Sequence, residues 1–138
     1  MTAKPTTTPT LTTLDHLVLT VADIETTIAF YTRMLGMTHT PFTVADGTTR
    51  HALTFGAMKI NLHQRGAEFE PKAQNVQTGS ADLCFLTDTP LDQWQAHLSK
   101  HGTEIEIGPV PRTGATGPII SLYIRDPDGN LIEISTPA

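Results

Sequence analysis

The stretch that decides the fold runs from residue 14 to residue 37, LDHLVLTVADIETTIAFYTRMLGM. Its first half, Leu14 to Val21, sets Leu, Val and Leu around His16 and reads as a buried strand. Asp23 then offers a helix N-cap, and Ile24, Ile28, Tyr31 and Leu35 follow at helical spacing until Gly36 stops the helix. Three strand-like runs come next, at about Met37 to Val44, Thr48 to Phe55 and Met58 to His63. Ala45-Asp46-Gly47 and Gly56-Ala57 supply the turns between them. The pattern is strand, helix, then three strands.

From Ala81 the same order returns. Ala81 to Thr87 reads as a strand. Asp88 or Thr89 is placed to cap a helix with Pro90 in its first turn and an apolar stripe of Leu91, Trp94 and Leu98, and Gly102 ends it. Strands are expected near Thr103 to Ile107, Ile119 to Arg125 and Leu131 to Ser135, with Asp126-Pro127-Asp128-Gly129 as a hairpin turn. One interval separates Gly36 from Gly102, Asp23 from Thr89 and His16 from Asp82. The interval from Asn61 to Glu133 is longer, and the Pro/Gly-rich segment Gly108 to Pro118, read as a loop, absorbs the difference. This regularity points to an internal duplication of a βαβββ unit. The expected organisation is a tail over residues 1–13 and one domain over 14–136. Within it, module 1 covers about 14–63, a polar linker 64–79, and module 2 about 81–135.

Composition narrows the function. The chain has 138 residues, enough for one domain, and 38% of them are hydrophobic, so a packed core is within reach. A net charge of -5, with no Lys/Arg cluster, argues against nucleic acid as a partner, because phosphate binding needs a cationic face. No apolar run approaches the roughly 20 residues that span a bilayer. The Thr/Pro-rich start carries one Lys and no apolar stretch, and reads as a disordered tail rather than a secretory signal. A single cysteine, Cys84, excludes an internal disulfide and a Cys-rich zinc site. A cytoplasmic location is the default expectation.

Two motifs carry a resemblance. The opening stretch with His16, Phe30-Tyr31 and Leu35-Gly36 resembles the start of a vicinal oxygen chelate (glyoxalase-like) module, and RDPDGNLIEIS, residues 125–135, resembles its closing hairpin, with Glu133 at the metal-binding carboxylate. The stretches FGAMKINLH, SADLCF and GPVPRTGATGPI are most similar to the glyoxalase domain-containing protein 5 subgroup. The resemblance implies an α+β fold in which two βαβββ modules form a half-open, barrel-like mixed sheet around a divalent metal: nickel, zinc, manganese or iron. It implies a homodimer in which modules of two chains combine. Members include glyoxalase I, extradiol dioxygenases and metal-free bleomycin-binding proteins, so enzyme and binder both stay open.

On that resemblance His16, Asp82 and Glu133 are the expected metal ligands. Asp82 stands where better-known members have a histidine, and it can either ligate or merely hydrogen-bond. Asn61 stands where glyoxalase I has a glutamate, and His63, two residues on, shares its face. His63 is therefore a candidate base, or a replacement for the missing imidazole, and Glu133 a second catalytic candidate. Asn61, Cys84, Tyr123 and Arg112 are expected to line the substrate pocket, Arg112 from a loop able to close over a ligand. The function expected first is a metal-dependent lyase or isomerase acting on a small molecule chelated through neighbouring oxygens. Extradiol ring cleavage and non-catalytic small-molecule binding are the alternatives.

Overall fold

A computed structural model describes residues 7–138; residues 1–6 of the expected tail lie outside the described residues, and residues 7–15 carry no regular secondary structure. The first module contains β1 (His16–Val21), α1 (Ile24–Leu35), β2 (Thr38–Thr43), β3 (Thr49–Phe55) and β4 (Met58–Gln64). The second contains β5 (Asp82–Leu86), α2 (Leu91–Lys100), β6 (Ile107–Thr113), β7 (Pro118–Arg125) and β8 (Leu131–Pro137).

Each module builds its own four-stranded sheet, in the order β1-β4-β3-β2 and β5-β8-β7-β6. In both, the first strand pairs parallel with the last, and the other pairings are antiparallel. The strand order is therefore the same in the two modules, as the repeated pattern predicts. The sheets are not closed into a barrel.

Local chemistry explains most boundaries. Asp23 accepts a 2.8 Å hydrogen bond from the Thr26 N–H, and Gly36 closes α1 at φ 69°, a left-handed conformation that a side chain would resist. α2 corrects the expectation. Neither Asp88 nor Thr89 caps it; Pro90 holds the N-cap position with no side-chain hydrogen bond. Proline's fixed φ and missing N–H suit that place without help.

The segment 107–113 corrects it further. Its residues 108–113, read as part of a Pro/Gly-rich loop, join Ile107 in the strand β6, while residues 103–106, expected as strand, are outside any strand. β6 is the outer strand of its sheet, where a residue without an N–H costs no ladder bond on its open side.

Alternation divides each sheet into two faces. Leu19 and Val21 of β1, Leu53 of β3, Ile60 and Leu62 of β4, Ile124 of β7, and Ile132 and Ile134 of β8 join Tyr31, Met34 and Leu98 from the helices in one shared core. The modules are also tied by polar contacts. His97 of α2 lies 3.0 Å from the Arg33 carbonyl at the end of α1, and the Asp128 carboxylate accepts from the Ala22 N–H at 3.3 Å. Among the described residues no helix is long and apolar enough to cross a membrane.

Candidate functional site

The residues singled out in the sequence fall on the opposite faces, away from the core. On the first sheet, register sets His16 beside Lys59, Val18 beside Asn61 and Thr20 beside His63. His16 stands at the open end, with 45% of its side chain exposed. Its Nδ1 lies 2.8 Å from an Asp15 carboxylate oxygen. A carboxylate there favours the Nδ1–H tautomer and leaves the Nε2 lone pair directed outward.

His63, by contrast, is buried, with 8% exposure. Burial first, then the Arg50 charge, holds its pKa below the usual 6.5, against a smaller opposing pull from Glu68 and Glu70. The Phe69 ring stands edge-on to it at 5.5 Å between centroids. His16 and His63 lie four strand positions apart on one face, about 13 Å. Two imidazoles of one copy standing off the sheet at that separation are too far apart to share one ion.

On the second sheet, Cys84 lies opposite Glu133, and Glu133 opposite Tyr123. Glu133 is half-buried; one of its oxygens, Oε2, accepts a 2.6 Å hydrogen bond from the Ser121 hydroxyl. Ser121 also lies 2.7 Å from the Ser135 hydroxyl, and Cys84 Sγ 3.4 Å from the same oxygen. Burial, with Glu133 adding to it, pushes the Cys84 thiol above its usual range, against a reactive thiolate. Asp82 is exposed at the start of β5. Arg112 does not sit in a closing loop. It belongs to β6, and its Nε donates to the Tyr123 hydroxyl at 2.9 Å. Arg125 braces the hairpin through the Gly129 carbonyl at 3.1 Å and through Glu106.

The chain thus gathers His16, Asn61 and His63 on one sheet, and Asp82, Cys84, Glu133, Tyr123 and Arg112 on the other. Among the described residues no group of three or more His, Cys, Asp or Glu side chains converges as a metal site within one copy. The donor chemistry nonetheless suits a divalent ion, with one preset imidazole and one carboxylate steadied on one oxygen. Sequence reading missed Asp15, Arg50, Phe69 and Ser121. Asp15 was visible as the neighbour of His16; the other three meet their partners only through strand register or linker folding.

Residues 13–134 match the family described as the Glyoxalase/Bleomycin resistance protein/Dioxygenase superfamily. The chain is 58% identical to Virulence protein STM3117 of Salmonella typhimurium, over 88% of this chain and 82% of that protein. It is 56% identical to Glyoxalase domain-containing protein RDO1 of Mycosarcoma maydis, over 89% and 67% of the two chains. A solved structure from the mobile metagenome of V. pseudocholerae superposes with a TM-score of 0.90 at 57% identity, covering 96% of this chain and 99% of that one. With the βαβββ topology present twice, these matches establish that the chain belongs to the glyoxalase/bleomycin resistance protein/dioxygenase superfamily.

Proposed function

We propose that the protein is a metal-dependent enzyme of the glyoxalase type, a lyase or isomerase, acting on a small molecule held through neighbouring oxygens. The observation that carries this is the pair of prepared half-sites. His16 is oriented by Asp15, Glu133 is steadied by Ser121, and each stands on a sheet face that the core does not use. Histidines and carboxylates that hold metals are commonly fixed by such second partners.

His16 and Glu133, with Asp82, would hold the ion, and a divalent metal so bound polarises substrate oxygens as a Lewis acid. The chain's own groups do the rest. Glu133 keeps one oxygen, Oε1, outside the Ser121 hydrogen bond, available to bind or to take a proton. His63 is held in its neutral form by burial and by Arg50, the state a general base needs. Tyr123, positioned by Arg112, presents a hydroxyl near Glu133 for orienting a substrate oxygen.

The half-sites lie on different sheets, so a second copy of the chain is proposed to complete each site. Exposed apolar side chains on the edge strands, Val18 of β1 at 46% and Leu86 at the end of β5 at 67%, support that pairing. Ring cleavage is the weaker reading, since a ferrous dioxygenase site uses two histidines and the spacing of His16 and His63 keeps the second out of reach within one copy.

Elemental analysis of protein purified without chelator tests the proposal. Near-stoichiometric metal in the wild type and a large loss in Glu133→Gln are expected. A wild type without metal, and without a metal-dependent thermal shift that Glu133→Gln removes, would transfer the protein to the binding class.

A further inference from the structure

Two imidazoles that the proposed chemistry leaves unused stand together on the second helix. His97 lies in the last turn of α2, and His101, four residues on, is its C-cap. That spacing sets two side chains on one face of a helix, one turn apart. Their ring centroids are 4.8 Å apart. Two imidazoles bound at about 2.0–2.1 Å to one ion, in tetrahedral or octahedral geometry, place their centroids roughly 4.5–5.2 Å apart. The pair already stands at that separation.

A second contact decides which nitrogen of His97 is free. Its Nε2 lies 3.0 Å from the Arg33 carbonyl and 3.1 Å from the Met34 carbonyl. A carbonyl only accepts, so in the neutral ring Nε2 carries the proton and Nδ1 keeps its lone pair. Histidines that hold metals are commonly fixed in this way, donating the outer N–H to a backbone carbonyl while the other nitrogen ligates. His101 is exposed, so its ring is open to an ion. The surroundings favour a cation as well. The carbonyls of Arg33 and Met34 belong to the last turn of α1, and the two histidines to the end of α2. Two helix C-termini, each with partial negative charge, therefore meet here.

The other close imidazole pair is differently disposed. His39 Nε2 and His51 Nδ1 are 2.9 Å apart and share a hydrogen bond, so each nitrogen is spent on the other. The helix pair is also separate from His16 and Glu133. Leu98 of α2 packs into the apolar core, on the side of the sheets that those two residues do not face.

We infer that His97 Nδ1 and His101 together bind one divalent ion of the kind that imidazole suits: copper, nickel or zinc. No third His, Cys, Asp or Glu is grouped with them among the described residues, so the ion's remaining positions go to solvent. Bound there, the ion ties the last turn of α2 to its C-cap and, through His97 Nε2–H, to the end of α1. It stabilises the joint between the modules. This site is additional to the proposed one and does not depend on it.

The test uses the full chain carrying both His16→Ala and Glu133→Gln, stripped of metal by chelator, so that the shared site does not contribute. Calorimetry is expected to show one zinc ion bound per chain, and zinc should raise the melting temperature. Copper(II) at less than one equivalent should broaden the ring resonances of His97 and His101 before those of His39, His51 or His63. Adding His101→Ala, an exposed change, should weaken zinc binding by about tenfold or more and remove the thermal shift. His97→Gln, whose amide can still donate to the α1 carbonyls, should do the same. Broadening that falls first on other histidines, or zinc binding unchanged by His101→Ala, would overturn the inference, whether or not His97→Gln folds. Metal retained by the purified wild type tests the shared site instead, so the two assignments fail separately.

Discussion

The Tyr31 hydroxyl donates a 2.7 Å hydrogen bond to Asp126 Oδ2, joining the helix of the first module to the closing hairpin of the second. Both residues are buried, and Asp126 also accepts from the Asn130 side chain and from the backbone N–H groups of Asp128 and Asn130. Four donors thus converge on one carboxylate. Burial first, and then the Asp126 charge, push the Tyr31 phenol far above its usual range, so it stays a donor at any ordinary pH.

Tyr31→Phe is therefore expected to cost about 1–3 kcal/mol, the penalty of leaving a buried acceptor short of a partner. Equilibrium urea unfolding measures it. A variant as stable as wild type would show that this bond does not help hold the modules together.

Gly79 and Gly102 share φ +75° but differ in their surroundings. A Cβ on Gly79 would come within 2.4 Å of the Asp128 carbonyl oxygen, while one on Gly102 meets nothing within 4 Å. Gly102→Ala should cost only the left-handed strain, roughly 1–2 kcal/mol. Gly79→Ala should cost clearly more and loosen the linker against the Asp126 hairpin. Melting temperatures of the two variants, measured side by side, decide the comparison.

The elements most legible in the sequence were those with local signals. Asp23 and Gly36 bracketed α1, and alternation set His63 and Asn61 on one face. What escaped was non-local. Arg50 gains its place beside His63 only through the β3–β4 register, and Ser121 reaches Glu133 from the neighbouring strand. The strand β6 was misread because prolines that break an interior strand are tolerated on an outer one. That error also put Arg112 in a loop rather than beside Tyr123.

The depressed pKa of His63 makes stability depend on pH with a definite sign. The unfolded chain binds a proton here more readily than the folded one, so stability is full above about the ordinary value of 6.5 and declines as pH falls below it. The charged groups acting on it are Arg50, which opposes protonation, and Glu68 and Glu70, which favour it. His63→Gln should lose less stability than wild type between neutral and mildly acidic pH. Parallel slopes in urea titrations across that range would refute the assignment.

Sites shared between copies make a sharper demand. His16→Ala and Glu133→Gln should each, alone, abolish metal binding at the shared site. Unfolded together and refolded, they should regain about a quarter of the wild-type sites, because each mixed dimer holds one intact pairing. Sedimentation should show the wild type as a dimer, and Leu86→Lys should shift it toward monomer. Recovery of no sites from a mixture that does form mixed dimers would confine the site to a single copy.

The two-sided character of each sheet has an evolutionary reach beyond this chain. The side turned toward the helices carries the apolar core, whereas the other side holds the polar groups of the candidate site, some of them buried. Substitutions on that side can therefore alter the chemistry while the apolar core persists, provided the buried Ser121–Ser135 contact is kept.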